Sequence, residues 1–153
     1  MSSDTQSPTP RVNAASGERS SERVFMEALI YGSSFVVEAR FRPLHVVGSG
    51  AYGSVCVVRD DETETFYAIK KTANVFDRPD FARRTLREVR LLRLLDHENI
   101  VNIEDVYCSG GESRDFGDVF MRMEMMDTDL HALLHKASQT ITEAHHRFFM
   151  AQV

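Results

Sequence analysis

Cysteine is scarce in this chain, and long apolar runs, internal repeats and excess positive charge are missing altogether. Two cysteines, Cys56 and Cys108, are too few for a disulfide framework and point to a reducing compartment. No apolar stretch approaches bilayer-spanning length, and the N-terminus lacks the basic start and apolar centre of a secretory leader. The expected location is therefore cytoplasmic or nuclear. A net charge of −5 leaves no electrostatic footprint for nucleic acid or for an anionic membrane, so neither is expected as a partner. His131/His135 and His145-His146 have helical spacing, but no Cys, Asp or Glu set completes a metal site around them. No metal ligand is assigned.

What is present is enough for one domain with a real core: 153 residues, 42% of them hydrophobic. Met1 to about Glu22 is rich in Ser, Thr, Pro and Arg without apolar periodicity, and reads as a disordered tail. Ser7-Pro8 and Thr9-Pro10 have the form of proline-directed phosphorylation sites, and equally that of a plain solvated tail. Val24 to Leu29 reads as a short helical turn, still within a tail segment placed at 1–34. Strands are predicted at Phe35-Val36-Val37, Phe41 to Val47, Ser54 to Val58, Phe66 to Lys70, Ile100 to Tyr107 and Val119 to Met125. Asp77-Arg78-Pro79-Asp80 is a helix start, with an acid as cap and proline in the first turn. That helix should run to Leu95 with Leu86, Val89 and Leu92 on its apolar face. Leu130 to Lys136 and Thr142 to Val153 read as further helices, the last capped by Thr140 or Thr142.

The chemistry gathers at Val47-Gly48-Ser49-Gly50-Ala51-Tyr52-Gly53-Ser54-Val55. Glycines at G-x-G-x-x-G spacing let ligand oxygens approach main-chain N–H groups. A dinucleotide site needs a helix directly after the glycines, whereas Ser54-Val55-Cys56-Val57-Val58 is a β-branched run. A phosphate-binding Walker loop needs Lys-Ser/Thr where Ser54-Val55 stands. The remaining geometry is a glycine-rich hairpin over a triphosphate, with Ala68-Ile69-Lys70 on the strand beside it.

These residues resemble the small lobe of a eukaryotic protein kinase. Gly50-Ala51-Tyr52-Gly53, Lys70-Lys71, Arg84 to Glu88, His97-Glu98-Asn99-Ile100 and Met126-Asp127-Thr128-Asp129-Leu130 narrow the resemblance to mitogen-activated protein kinases. It covers roughly Arg40 to Val153. It implies ATP as cofactor, with magnesium held by residues beyond this stretch, protein Ser/Thr substrates and an upstream activating kinase. Lys70 would contact the phosphates and Glu88 would orient it. Strand alternation puts Ala68 and Lys70 on the adenine side and Lys71, the weaker alternative, outward, with a solvated strand lysine as the plain reading of either. Val47, Val55 and Ala68 would cap the adenine, while Gly48, Ser49, Gly50, Ala51, Tyr52 and Gly53 form the loop over the phosphates. Glu124-Met125-Met126 resembles the hinge, with Glu124 C=O and Met126 N–H for the adenine edge and Met123 as gatekeeper. Asp129 could accept from the ribose or cap the helix that follows it, and Arg84 and Arg87 could clamp a phosphate or form a solvated face.

The expected fold is α+β: an antiparallel sheet of about five strands with one packed helix, then the first helices of a second lobe. The resemblance implies a small lobe at 35–122, a hinge at 123–129 and the start of the large lobe at 130–153. His-Arg-Asp, a metal-binding Asp-Phe-Gly and Ala-Pro-Glu do not occur after the hinge. Asp115-Phe116-Gly117 precedes the hinge and reads as a turn. The rival readings are a cyclin-dependent or glycogen-synthase-type kinase, and a non-catalytic interaction module.

Overall fold

The computed structural model describes residues 23–30, 32–50, 53–109, 117–135 and 141–153. The expectations for the tail through Glu22, for Ala51 and Tyr52, for the Asp115-Phe116 turn and for the Thr140 cap lie outside those residues. In chain order the elements are β1 (Phe25–Ile30), β2 (Ser33–Glu38), β3 (Phe41–Gly50), β4 (Gly53–Asp60), β5 (Phe66–Thr72), α1 (Pro79–Leu94), β6 (Ile103–Cys108), β7 (Val119–Glu124), α2 (Leu130–His135) and α3 (Glu143–Gln152). Five strands form one sheet in the order β3-β4-β5-β7-β6, every neighbour antiparallel. The fold is α+β.

Alternation along the strands gives that sheet two chemically distinct faces. Cys56, Val58, Ile69 and Phe120 point to one face and are fully buried under Phe35 and Val37 of β2 and Ile30 of β1. Each such buried side chain contributes roughly 1.5–3 kcal/mol. Tyr107 stacks on Phe120, at 5.2 Å between ring centroids and 8° between planes, and its hydroxyl donates to Val36 O at 2.8 Å. The other face carries Met121 and Val119, and Ala82 and Val89 of α1 pack there together with Val75, Ile103 and Val106. Pro43 sits in β3, an edge strand, where its missing N–H is tolerated.

Several local expectations are corrected. Phe25–Ile30 is a strand, not a helical turn, and pairs antiparallel with Ser33–Glu38. Met26, Ala28 and Ile30 turn inward while Leu29 is exposed, a period of two that only a strand satisfies. The 1–34 tail boundary thus falls inside β2. The N-cap of α1 is Arg78, with no side-chain cap bond, and Asp77 instead closes a turn by donating its N–H to Asn74 O. Pro79 at the first helical position sets φ, and the Phe81 N–H that a side-chain cap would take donates instead to Arg78 O at 3.1 Å. The inward face of α1 is Ala82, Thr85, Val89 and Leu92 together with Glu88, whereas Leu86 is exposed. Steps of three drift around a helix of 3.6 residues per turn, and Thr85 rather than Leu86 lies one turn from Val89. β6 begins at Ile103, three residues later than predicted.

Candidate functional site

β3 and β4 pair antiparallel with Gly50 opposite Gly53, so the glycines join strand to strand. The three glycines are not equivalent. Gly53 has φ +128°, and a Cβ there would stand 2.0 Å from Lys71 O. Only glycine fits against that backbone. A Cβ at Gly48 or Gly50 would meet nothing within 4 Å. No described neighbour requires those two, and the space that the described residues leave beside them suits a group approaching from outside the chain.

Beneath the hairpin, register places the remaining residues. Val55 lies opposite Lys70 and Val57 opposite Ala68; across the other edge of β5, Lys70 meets Met121 and Ala68 meets Met123. Directly opposed residues share a face. Val55, Ala68, Lys70 and Met123 therefore stand together on the α1 side of the sheet. Lys70 Nζ donates to Glu88 Oε1, an ion pair between β5 and α1 that fixes the direction of the ammonium. Glu88 does not pair with Arg84 on its own helix. Val47 sits at an irregularity between Val46 and Gly48 and is half exposed. Ser49 Oγ lies 3.1 Å from Ser54 Oγ across the hairpin.

Glu124 ends β7 opposite Tyr67, and Met126 follows it half exposed. Asp129 Oδ1 accepts from Ala132 N at 2.6 Å, the geometry of a helix cap at the start of α2. Arg84 and Arg87 are exposed and form no ion pair with any described residue. Among the described residues no group of three His, Cys, Asp or Glu side chains could hold a metal.

Lys71 needs the clearest correction. It lies on the opposite face from Lys70, but not in solvent. Its ammonium donates to Ser34 O at 2.7 Å, pairs with Asp118 Oδ2 at 2.8 Å and lies 5.9 Å from the centroid of the Phe120 ring. The signal was present in the sequence: Cys56, Val58, Ile69 and Phe120 are too apolar for a face in water, so Lys71 among them had to be covered. Burial pushes the Cys56 thiol on that face up to about 11 and raises the Tyr107 hydroxyl, with nearby Glu38 adding to the latter. A cavity of ≈ 640 Å³ lies elsewhere, among Arg23, Glu38, Arg40, Asp105 and Arg122. Its arginines pair with its carboxylates, although Arg40 Nε and Arg122 Nε and Nη1 make no hydrogen bond there.

The protein kinase domain family matches residues 41–153, most of the chain. The chain belongs to the protein kinase family. It is similar to mitogen-activated protein kinases: 45% identical over 130 residues to mitogen-activated protein kinase 3 of Arabidopsis thaliana, covering 84% of this chain and 35% of that protein. With mitogen-activated protein kinase 4a of Physcomitrium patens it shares 39% identity over 151 residues, 98% of this chain and 40% of that protein. Mitogen-activated protein kinase 1 of Oryza sativa subsp. japonica is 43% identical over 130 residues, 84% of this chain and 32% of that protein. The chain thus spans about a third of the length of the curated kinases it matches. The five-stranded sheet with α1 on one face corresponds to a kinase small lobe.

Proposed function

We propose that these residues form the ATP-binding part of a mitogen-activated Ser/Thr protein kinase, which phosphorylates protein substrates and is switched on by an upstream kinase. The carrying observation is the Lys70–Glu88 ion pair beneath a glycine hairpin with open space at Gly48 and Gly50. Phosphoryl transfer gains mostly from positioning and charge, so a cation held in one direction beneath a glycine-rich hairpin is the useful feature. ATP supplies the transferable γ-phosphoryl group. Lys70 would hold its α- and β-phosphates, Glu88 would fix Lys70, and the N–H groups of the hairpin would cover the phosphates. Val47, Val55 and Ala68 would lie over the adenine, Met123 behind it, and Glu124 C=O with Met126 N–H at its edge. Asp129, already capping α2 through Oδ1, keeps Oδ2 for a ribose hydroxyl. Magnesium and the catalytic base call for carboxylate and amide side chains outside these residues.

The test uses the complete protein and radiolabelled ATP with a generic protein substrate. Transfer is expected, and Met123→Gly should admit an ATP analogue enlarged at the adenine amino group, because deleting the side chain leaves space behind Glu124. No transfer, or no preference for the enlarged analogue, counts against the enzyme reading or the Met123 placement respectively. Residues 1–153 alone should transfer nothing and bind Mg-ATP more weakly than about 1 mM, since two hinge hydrogen bonds and one adenine face barely offset the cost of immobilising the ligand. Calorimetric titration reads that directly.

A further inference from the structure

Lys71 is chemically out of place for a residue whose neighbour does the work. A lysine stem and ammonium, only 16% exposed, lie among Phe120 and the β1–β2 hairpin, where an alkyl side chain would pack with less desolvation. The ammonium makes two strong contacts with different parts of the chain: Ser34 O in β2 at 2.7 Å and Asp118 Oδ2 at 2.8 Å. Asp118 is itself fully engaged. Its Oδ1 accepts from Asn74 N at 3.0 Å in the turn leaving β5, its N–H donates to Ser109 Oγ at 3.2 Å, and its C=O accepts from Ser109 N at 3.1 Å. The carbonyl oxygen of Lys71 is the atom that forbids a side chain at Gly53. A single residue thus joins the hairpin, the β5–α1 turn, the start of β7 and the last glycine of the loop, and it is covalently next to Lys70.

We infer that Lys71 is a positioning residue that makes nucleotide binding at Lys70 and seating of the β1–β2 hairpin depend on each other. This rests on the nucleotide reading of the Lys70 site. β5 is held from both sides: the Lys70 side chain is drawn to α1 by Glu88, and the Lys71 side chain is drawn to Ser34 and Asp118. Sliding or twisting of β5 that relaxes one anchor displaces the other, because the Cα atoms of Lys70 and Lys71 are the two ends of one planar peptide unit. A ligand that holds Lys70 therefore narrows the range of positions open to Lys71, and a loosened hairpin widens the range open to Lys70. Such coupling is reciprocal by thermodynamic necessity. Lys71 touches no phosphate.

The experiment uses the complete kinase with magnesium and a non-hydrolysable ATP analogue, and needs no variant for its first arm. Calorimetry measures analogue binding, and hydrogen exchange follows the amides of residues 33–38. Binding should slow that exchange about fivefold, at the low end of typical coupling between sites. Lys71→Met should abolish the slowing and raise the KM for ATP by the same factor of about five while kcat stays within about twofold. Lys71→Arg, which keeps the charge and its donors, should restore both. Absence of analogue binding removes the nucleotide reading and this inference with it. Binding with unchanged exchange at 33–38 overturns the inference alone. So does a Lys71→Met protein that keeps the wild-type exchange response, or one that loses kcat rather than affinity.

Discussion

The two faces of the five-stranded sheet are made by alternate residues of the same strands, yet they are finished differently. The face carrying Cys56, Val58, Ile69 and Phe120 is closed by the chain itself, and those side chains are fully buried under the β1–β2 hairpin. The face carrying Val55, Ala68, Lys70 and Met123 is only partly covered, by α1 at one end, and all four side chains keep some exposure. Charge follows the same division. Lys71 on the closed face is spent on Ser34 and Asp118, whereas Lys70 on the open face meets one glutamate. A closed face supplies the stability that lets the open face stay unfilled, which is what a binding surface requires.

The comparison predicts a hierarchy of effects. Phe120→Ala, on the closed face, should destabilise the fold by about 3–5 kcal/mol, against about 1 kcal/mol for Val55→Ala on the open one. Urea unfolding of both variants measures it, and equal losses would remove the distinction between the faces. Lys70→Met reverses the pattern in the complete kinase: phosphotransfer should fall on the order of a hundredfold, about 3 kcal/mol in the barrier, while stability changes by less than about 1 kcal/mol. Lys71→Met should leave most turnover at saturating ATP and lower the unfolding midpoint instead. Steady-state rates beside thermal melts separate the two lysines. Gly53→Ala should cost roughly 1–3 kcal/mol from φ alone, with the contact to Lys71 O adding to it, while Gly50→Ala should be nearly neutral in stability and lower nucleotide affinity. Chemical denaturation and nucleotide titration of the pair decide whether structure and ligand demand different glycines.

The smallest effect is a matter of protons. Burial raises both thiols, Cys56 to about 11 from an ordinary 9.0, but Cys108 is exposed at the end of β6. At pH 8 Cys108 should react with iodoacetamide and Cys56 should lag at least about tenfold, since only about one Cys56 in a thousand is thiolate. Because the folded value is the higher one, the buried thiol favours the native state fully below pH 9, and that contribution is lost as pH rises from 9 through about 11. Mass spectrometry of the alkylated protein, with unfolding curves at pH 8 and 10.5, checks both statements.

Much of this protein is legible in its sequence. The β-branched run after Gly53, the alternation through Ala68 and Lys70 and the proline at the start of α1 are local signals, because strand period, glycine and proline act on the chain within a few residues. They set the sheet, the hairpin and which lysine faces the candidate site, and motif order along the chain pointed to the kinase family. Of the hairpin at 25–38 only the second strand was legible, as Phe35-Val36-Val37; the first was not, because its alternation is short and a two-stranded ribbon is stable only against a surface that the rest of the chain must first build. Lys71 was misplaced for the same reason, since strand period tells which side a residue takes but not what covers that side. Glu88 meeting Lys70, Gly53 lying against Lys71 O, and Asp118 gathering Asn74, Ser109 and Lys71 join residues that sequence keeps apart. Local sequence determined the elements and their faces, because dihedral preferences and periodicity are short-ranged. Only tertiary structure decided which face was closed and which left open, because that depends on where distant segments of the chain come to rest.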